Sequence, residues 1–220
     1  MDRADTKRGV GLWNLDHLGQ GTSPGPERKD AARNRRAIIK AAGTLFEERG
    51  VTRVTMEQVA KAAGVGKGTL YRRFPNKGLL CQALLDEPTH AFQDETMRLL
   101  GDPTLEPLDK LDVFLDRLVW FTEENLDLLY GGNEPLCGAD RISRYAHPAF
   151  DWRRWTILGL LREAERRGEI GGHLDLEYIA AAILTPLDLD FFYYQRRVQE
   201  IPVQRISAGL RSLAPGARAN

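Results

Sequence analysis

A chain of 220 residues, 42% hydrophobic and 28% charged, is long enough to bury a core in one larger domain or two small ones. It has no apolar run of membrane-spanning length, and its opening residues lack the continuous apolar stretch of a signal peptide, which points to a cytoplasmic protein with no membrane partner. Cys81 and Cys137 form no CxxC pair, and His17, His90, His147 and His173 have no ligand spacing, so no disulfide framework, metal site or cofactor is expected.

The formal net charge of zero conceals a partition. Residues 1–29 carry five Lys/Arg and four Asp/Glu, residues 30–86 eleven and five, and residues 87–220 fifteen and twenty-two. A small basic module joined to a larger acidic one places any polyanion on the first, because neutralising phosphates dominates nucleic-acid affinity.

Residues 1–29 are rich in Gly, Pro and charge, end in QGTSPGPERK and read as a flexible tail. Trp13 is an isolated aromatic there, and Arg3, Lys7 and Arg8 suit either a minor-groove arm or plain disorder. From Asp30, a candidate N-cap, the apolar stripe Ile38, Ala41, Ala42, Leu45 and Phe46 predicts an amphipathic helix stopped by Gly50. Thr55 followed three residues later by Gln58 is a capping box, with Met56, Val59, Ala60 and Ala63 on the inner face of a short helix. Gly64 ends it, and a second short helix from about Lys67 to Phe74 follows, with Gly66 as a weak cap and Val65, Leu70 and Phe74 inward. The same GVGKGT stretch is not a Walker loop, which requires Gly where Lys61 stands and Ser or Thr where Gly68 stands. Two short helices joined by a glycine turn make a helix-turn-helix, whose second helix reads the major groove with its N-terminal residues.

Three stretches, Ile38 to Phe46, VTRVTMEQVAKAAGV and GKGTLYRRFPNKGLLCQALL, carry a resemblance to the TetR family of one-component transcriptional regulators. The spacing Leu70, Tyr71, Phe74, Lys77 ties the helix-turn-helix to a following helix that begins near Asn76, and the likeness covers residues 30–86. It implies DNA contacts from Lys67, Gly68, Thr69, Tyr71, Arg72 and Arg73, with Thr55 and Lys77 at phosphate-touching positions. The chemistry agrees: Thr55 offers a hydroxyl at a helix N-terminus, and Tyr71 can donate to phosphate while its ring packs on sugar. Arg72 and Arg73 can each reach phosphate or a guanine edge, or simply form a solvated helix end. Many relatives place a capping residue where Gly66 stands, so a looser recognition helix is expected before DNA contact.

Beyond Asp86 the apolar spacing predicts helices at 90–100, 108–130, 150–168, 176–198 and 203–213, and residues 214–220 form a short C-terminal tail. The fold class is therefore all-α: a helix-turn-helix domain at 30–86 and a helical ligand-binding and dimerisation domain at 87–213. Phe114, Trp120, Phe121, Tyr130, Trp152 and Trp155 are either core or the lining of an effector pocket. The polar stretch 131–150, with Arg141, Arg144, Tyr145 and His147, either edges that pocket and meets an acidic effector or is a solvated loop. The resemblance implies that the last two helices pair with a second copy, with Ile179, Ala182, Ile183, Leu187, Phe191, Ile206, Leu210 and Leu213 as interface candidates. Pro186 is expected to kink the first of them.

The function implied is a dimeric repressor, released from a palindromic double-stranded DNA operator by an unknown small-molecule effector. A redox sensor working through Cys81 or Cys137 is an alternative, although Leu79, Leu80 and Leu84 around Cys81 argue against a low thiol pKa. An enzyme would need a nucleophile, paired-carboxylate or metal constellation, and none is spaced for it.

Overall fold

The computed structural model describes residues 26–132 and 148–214, and every regular element among them is helical. Among the described residues ten α-helices run in order: α1 (Pro26–Arg49), α2 (Met56–Ala62), α3 (Lys67–Arg73), α4 (Lys77–Leu100), α5 (Pro107–Glu124), α6 (Leu126–Gly132), α7 (Pro148–Arg166), α8 (Leu176–Ile183), α9 (Leu189–Arg197) and α10 (Val203–Ser212). No helix of the described residues is long and apolar enough to cross a membrane.

Two hydrophobic cores organise them. The first gathers Ile38, Ala42, Leu45 and Phe46 of α1, Val59 of α2, Leu70 of α3 and Leu80 and Cys81 of α4. The second packs Phe92 and Leu99 of α4 against α5, α7, α8, α9 and α10. Helix α4 thus serves both cores, and the boundary expected at residue 86 falls inside one continuous helix. Pro88 lies within that helix, which continues through it even though proline has no N–H to donate. Two buried hydroxyls of the second core are satisfied locally: Thr96 donates to the Phe92 carbonyl at 2.9 Å and Thr122 to that of Leu118 at 2.8 Å. An unsatisfied buried hydroxyl would cost about 1–3 kcal/mol.

Three expectations need correction. Helix α1 starts at Pro26, not at an Asp30 cap, because proline in a first turn forfeits only an N–H that has no helical partner there. The helix expected over 108–130 is two, since the Asn125 side-chain amide donates to the Phe121 carbonyl at 2.8 Å and ends α5. Pro186 breaks its helix rather than kinking it: α8 stops at Ile183, Thr185–Leu187 forms a 3₁₀ turn, and Asp188 caps α9 by accepting from the Asp190 and Phe191 amides. The strong cap makes a fresh start cheaper than a bent continuation.

Candidate nucleic-acid interface

The recognition segment is assembled from caps and short braces. The Thr55 amide donates to Gln58 Oε1 at 2.9 Å and the Gln58 amide to Thr55 Oγ1 at 3.2 Å, which completes the capping box and leaves the exposed Thr55 hydroxyl its own proton to donate. Gly64 takes φ +66°, a left-handed conformation that a side chain would strain, and turns the chain from α2 into α3. Gly66 caps α3 without a side-chain bond. Beneath α3 lie Leu70, fully buried, and Phe74, 4% exposed.

On its other side Lys67, Gly68, Tyr71 and Arg72 are exposed, Tyr71 by 44%, and Thr69 is half-buried beside them. These positions, spaced i, i+1, i+4 and i+5, share one helix face. A Cβ added at Gly68 would meet nothing within 4 Å, so the backbone there is open to close approach. The Lys67 ammonium pairs with Glu57, whose carboxylate raises the lysine pKa above its usual value mainly through their hydrogen bond. Arg73 turns back onto α1 and donates to the Ala31 carbonyl at 3.2 Å. Lys77 donates to the carbonyls of Val51 at 3.0 Å and Thr52 at 3.4 Å, bracing α4 against the turn that leads into α2. The last two are therefore struts of the recognition segment as well as cations near it.

In the second core the aromatic residues separate. Phe114, Phe121 and Trp152 come together around Phe92: its ring lies 4.8 Å from Phe121, 6.0 Å from Phe114 and 5.9 Å from Trp152, while Phe114 and Trp152 are 6.1 Å apart. Phe92 was missed in the sequence, although its spacing with Thr96 and Leu99 marks a buried face. Trp120 packs half-buried on the same core, and Tyr130 stacks on Tyr193 of α9 at 4.0 Å. Trp155 belongs to neither group: it is 54% exposed, and the Arg154 guanidinium lies 4.3 Å from its ring. A surface cleft of about 550 Å³ between α4 and α5, bounded by Glu95, Arg98, Asp102 and Arg117, includes none of these aromatics.

The interface candidates also divide. Ile183, Leu187, Ile206 and Leu210 are buried in the chain's own second core, where α8 packs on α7, the 3₁₀ turn follows it and α10 packs on α5, and Ile179 is half-buried against it. Ala182, Phe191 and Leu213 remain exposed. Tyr194 and Val198 continue the Phe191 stripe along α9, and Tyr178 of α8 is exposed too. The Cys81 thiol is fully buried, which works against the redox reading, since an oxidant must reach a thiolate. Among the described residues no group of three or more His, Cys, Asp or Glu is placed to hold a metal. Cys137, Arg141, Arg144, Tyr145, His147, Trp13 and the basic residues of the N-terminal tail lie outside the described residues.

Two capped short helices, a buried Leu70 beneath them and a polar, partly cationic face above make up a helix-turn-helix of the kind that docks in a DNA groove. Residues 38–84 match the family described as bacterial regulatory proteins, tetR family. An HTH-type transcriptional regulator of Staphylococcus aureus is 36% identical over 112 residues, which are 50% of this chain and 60% of that protein. Another from the same species is 29% identical over 181 residues, 81% of this chain and 91% of the relative. The crystal structure of Thermus thermophilus FadR, a TetR-family transcriptional repressor in complex with lauroyl-CoA, superimposes with a TM-score of 0.59 at 21% identity, over 84% of this chain and 96% of that one. Residues 38–84 thus resemble the DNA-binding module of the TetR family, and the structural likeness extends the shared fold over most of the chain.

Proposed function

We propose that this protein is a dimeric, sequence-specific transcriptional repressor whose grip on a palindromic operator is released by a small molecule bound in the second core. The observation that carries the reading is the exposed α3 face of Lys67, Gly68, Tyr71 and Arg72, held by the Thr55–Gln58 box and seated on Leu70. Tyr71 and Thr55 serve phosphate, Arg72 reads a base edge or a second phosphate, and Gly68 lets the backbone close on the groove. Exposed Phe191 and Tyr194 of α9 and Val198 at its C-cap, spaced i, i+3 and i+7, support pairing with a second copy, because an apolar stripe of that kind favours burial. A two-fold dimer sets its α3 helices about one DNA turn apart, roughly 34–36 Å.

Coupling between the two cores is supported by two contacts. Helix α4 is common to both, and a Cβ at Gly131 of α6 would collide with the Val51 side chain, so α6 sits directly on the turn that Lys77 braces. An effector that binds one arrangement of α4 and α6 more tightly than another shifts the spacing of the α3 helices. Repression and acyl-CoA binding are attributes of the Thermus protein, and they lend this reading analogy only.

The test is binding of the full chain to DNA flanking its own gene, against scrambled DNA, across a salt series. Tight, salt-sensitive binding to a palindrome, weakened at least about tenfold in Tyr71→Ala and Arg72→Ala, is expected from losing one charge-assisted contact. Equal, weak binding to both DNAs, or a monomer in sedimentation at micromolar concentration, would overturn it.

A further inference from the structure

Arg153 of α7 is a half-buried cation with no carboxylate partner among the described residues. Its guanidinium lies 5.7 Å from the centre of the Phe121 ring, at the margin of the Phe92, Phe114, Phe121 and Trp152 cluster. Three acids of α5, α6 and α7 are committed elsewhere, and Glu124 of α5 is exposed to solvent. Asp151 pairs with Arg154 at 3.5 Å, Glu123 holds Arg196 through two 2.7 Å bonds, and Asp127 pairs with Arg197 at 3.3 Å. Residue 153 keeps some contact with solvent, yet desolvation, with no carboxylate offsetting it, pulls its pKa down to about 10. It is therefore still protonated at neutral pH, a cation beside the Phe121 ring with no counter-charge among the described residues.

A structural guanidinium at such a depth is normally met by a carboxylate, and the aromatic face of Phe121 offsets only part of the lost hydration. We infer that Arg153 is the anion anchor of the effector site, and that the effector is an organic carboxylate whose aromatic or aliphatic body packs on the Phe92, Phe114, Phe121 and Trp152 cluster. The carboxylate accepts two N–H bonds from the planar guanidinium, and the apolar body supplies burial. This rests on the effector-binding reading above and narrows it to one charge and one anchoring residue.

The full chain is titrated by calorimetry with 3-phenylpropionate and octanoate, each against its primary amide, for the native sequence, Arg153→Met and Arg153→Lys. At least one acid is expected to bind about tenfold or more tightly than its amide, the acid preference to vanish in Arg153→Met, and a reduced preference to survive in Arg153→Lys. Without ligand, Arg153→Met is expected to raise Tm by a few degrees, because it keeps apolar bulk and removes an unpaired charge. A lower Tm would assign Arg153 to a structural pair and overturn the proposal. So would the lack of any acid preference in the native chain, or its survival in Arg153→Met. Operator binding is measured on the same preparations: if it fails while the acid preference holds, the repressor reading fails and the anion site stands.

Discussion

The two cores are held together over different distances along the chain. In the recognition segment the main restraints are local: Thr55 and Gln58 are three residues apart, as are Asn76 and Leu79, and the longest brace, Arg73 to Ala31, spans 42. The second core is tied across the whole domain, by Arg196 to Glu123 over 73 residues, Ser207 to Asp116 over 91 and Arg211 to Asp112 over 99. On the proposed function, a short helix that presents the same face to its operator is specified by its own neighbours. On the same reading, a domain that rearranges around a ligand is specified by contacts that different arrangements can make or lose.

The largest effect should follow from removing the floor of α3. Leu70→Ala is expected to cost about 2–5 kcal/mol in chemical denaturation and to abolish operator binding, with the second core still folded. An unfolding curve that loses both cores together would mean that α4 makes them one cooperative unit. Glu123→Ala strikes the long-range side. The Glu123 and Arg196 side chains are each 17% exposed, so the loss is expected at about 1–3 kcal/mol, below the roughly 3–5 for a fully buried pair. Operator affinity at permissive temperature should change little, and a large loss there would show that the α5 to α9 tie also sets the recognition geometry.

This contrast also explains what could be read in advance. The capping box, the turn at Gly64, the inward Leu70 and Phe74 and the start of α4 beside Asn76 were all legible, because each depends on residues within a few positions. Where a side chain competed with the helix, as at Asn125, or where Pro186 met a good cap at Asp188, periodicity alone ran straight through the break. The apolar residues of α8 and α10 were visible, but not which partner they served. Ile183 and Leu210 turn inward while Phe191 and Val198 stay outside, a choice set by packing between distant helices. Arg153 was unreadable for the same reason, since the want of a counter-charge is a property of the assembled fold.

A smaller effect tests the local side by itself. Thr55→Ala removes the hydroxyl that accepts from the Gln58 amide and is expected to cost about 1 kcal/mol of stability together with a loss of operator affinity. Thr55→Ser should restore both. Recovery of stability without recovery of affinity would separate the cap from the phosphate contact.

The smallest effect on stability should come from Glu57→Gln, and its effect on DNA binding is the more informative. Glu57 and Lys67 are both largely exposed, so breaking the pair should leave Tm unchanged. The carboxylate raises the Lys67 pKa, so what the pair contributes is present below the ordinary lysine value of 10.5 and is lost only as pH rises through the raised one. Between neutral pH and about pH 9 neither sequence should therefore show a pH-dependent difference. On DNA the balance changes, because the substitution frees an ammonium at the start of α3 and removes a negative charge beside it. Binding should tighten, and the slope of log affinity against log salt should steepen by about one. An unchanged slope would mean that Lys67 stays with Glu57 or clear of the phosphates when α3 docks, leaving the groove contacts to Gly68, Tyr71 and Arg72.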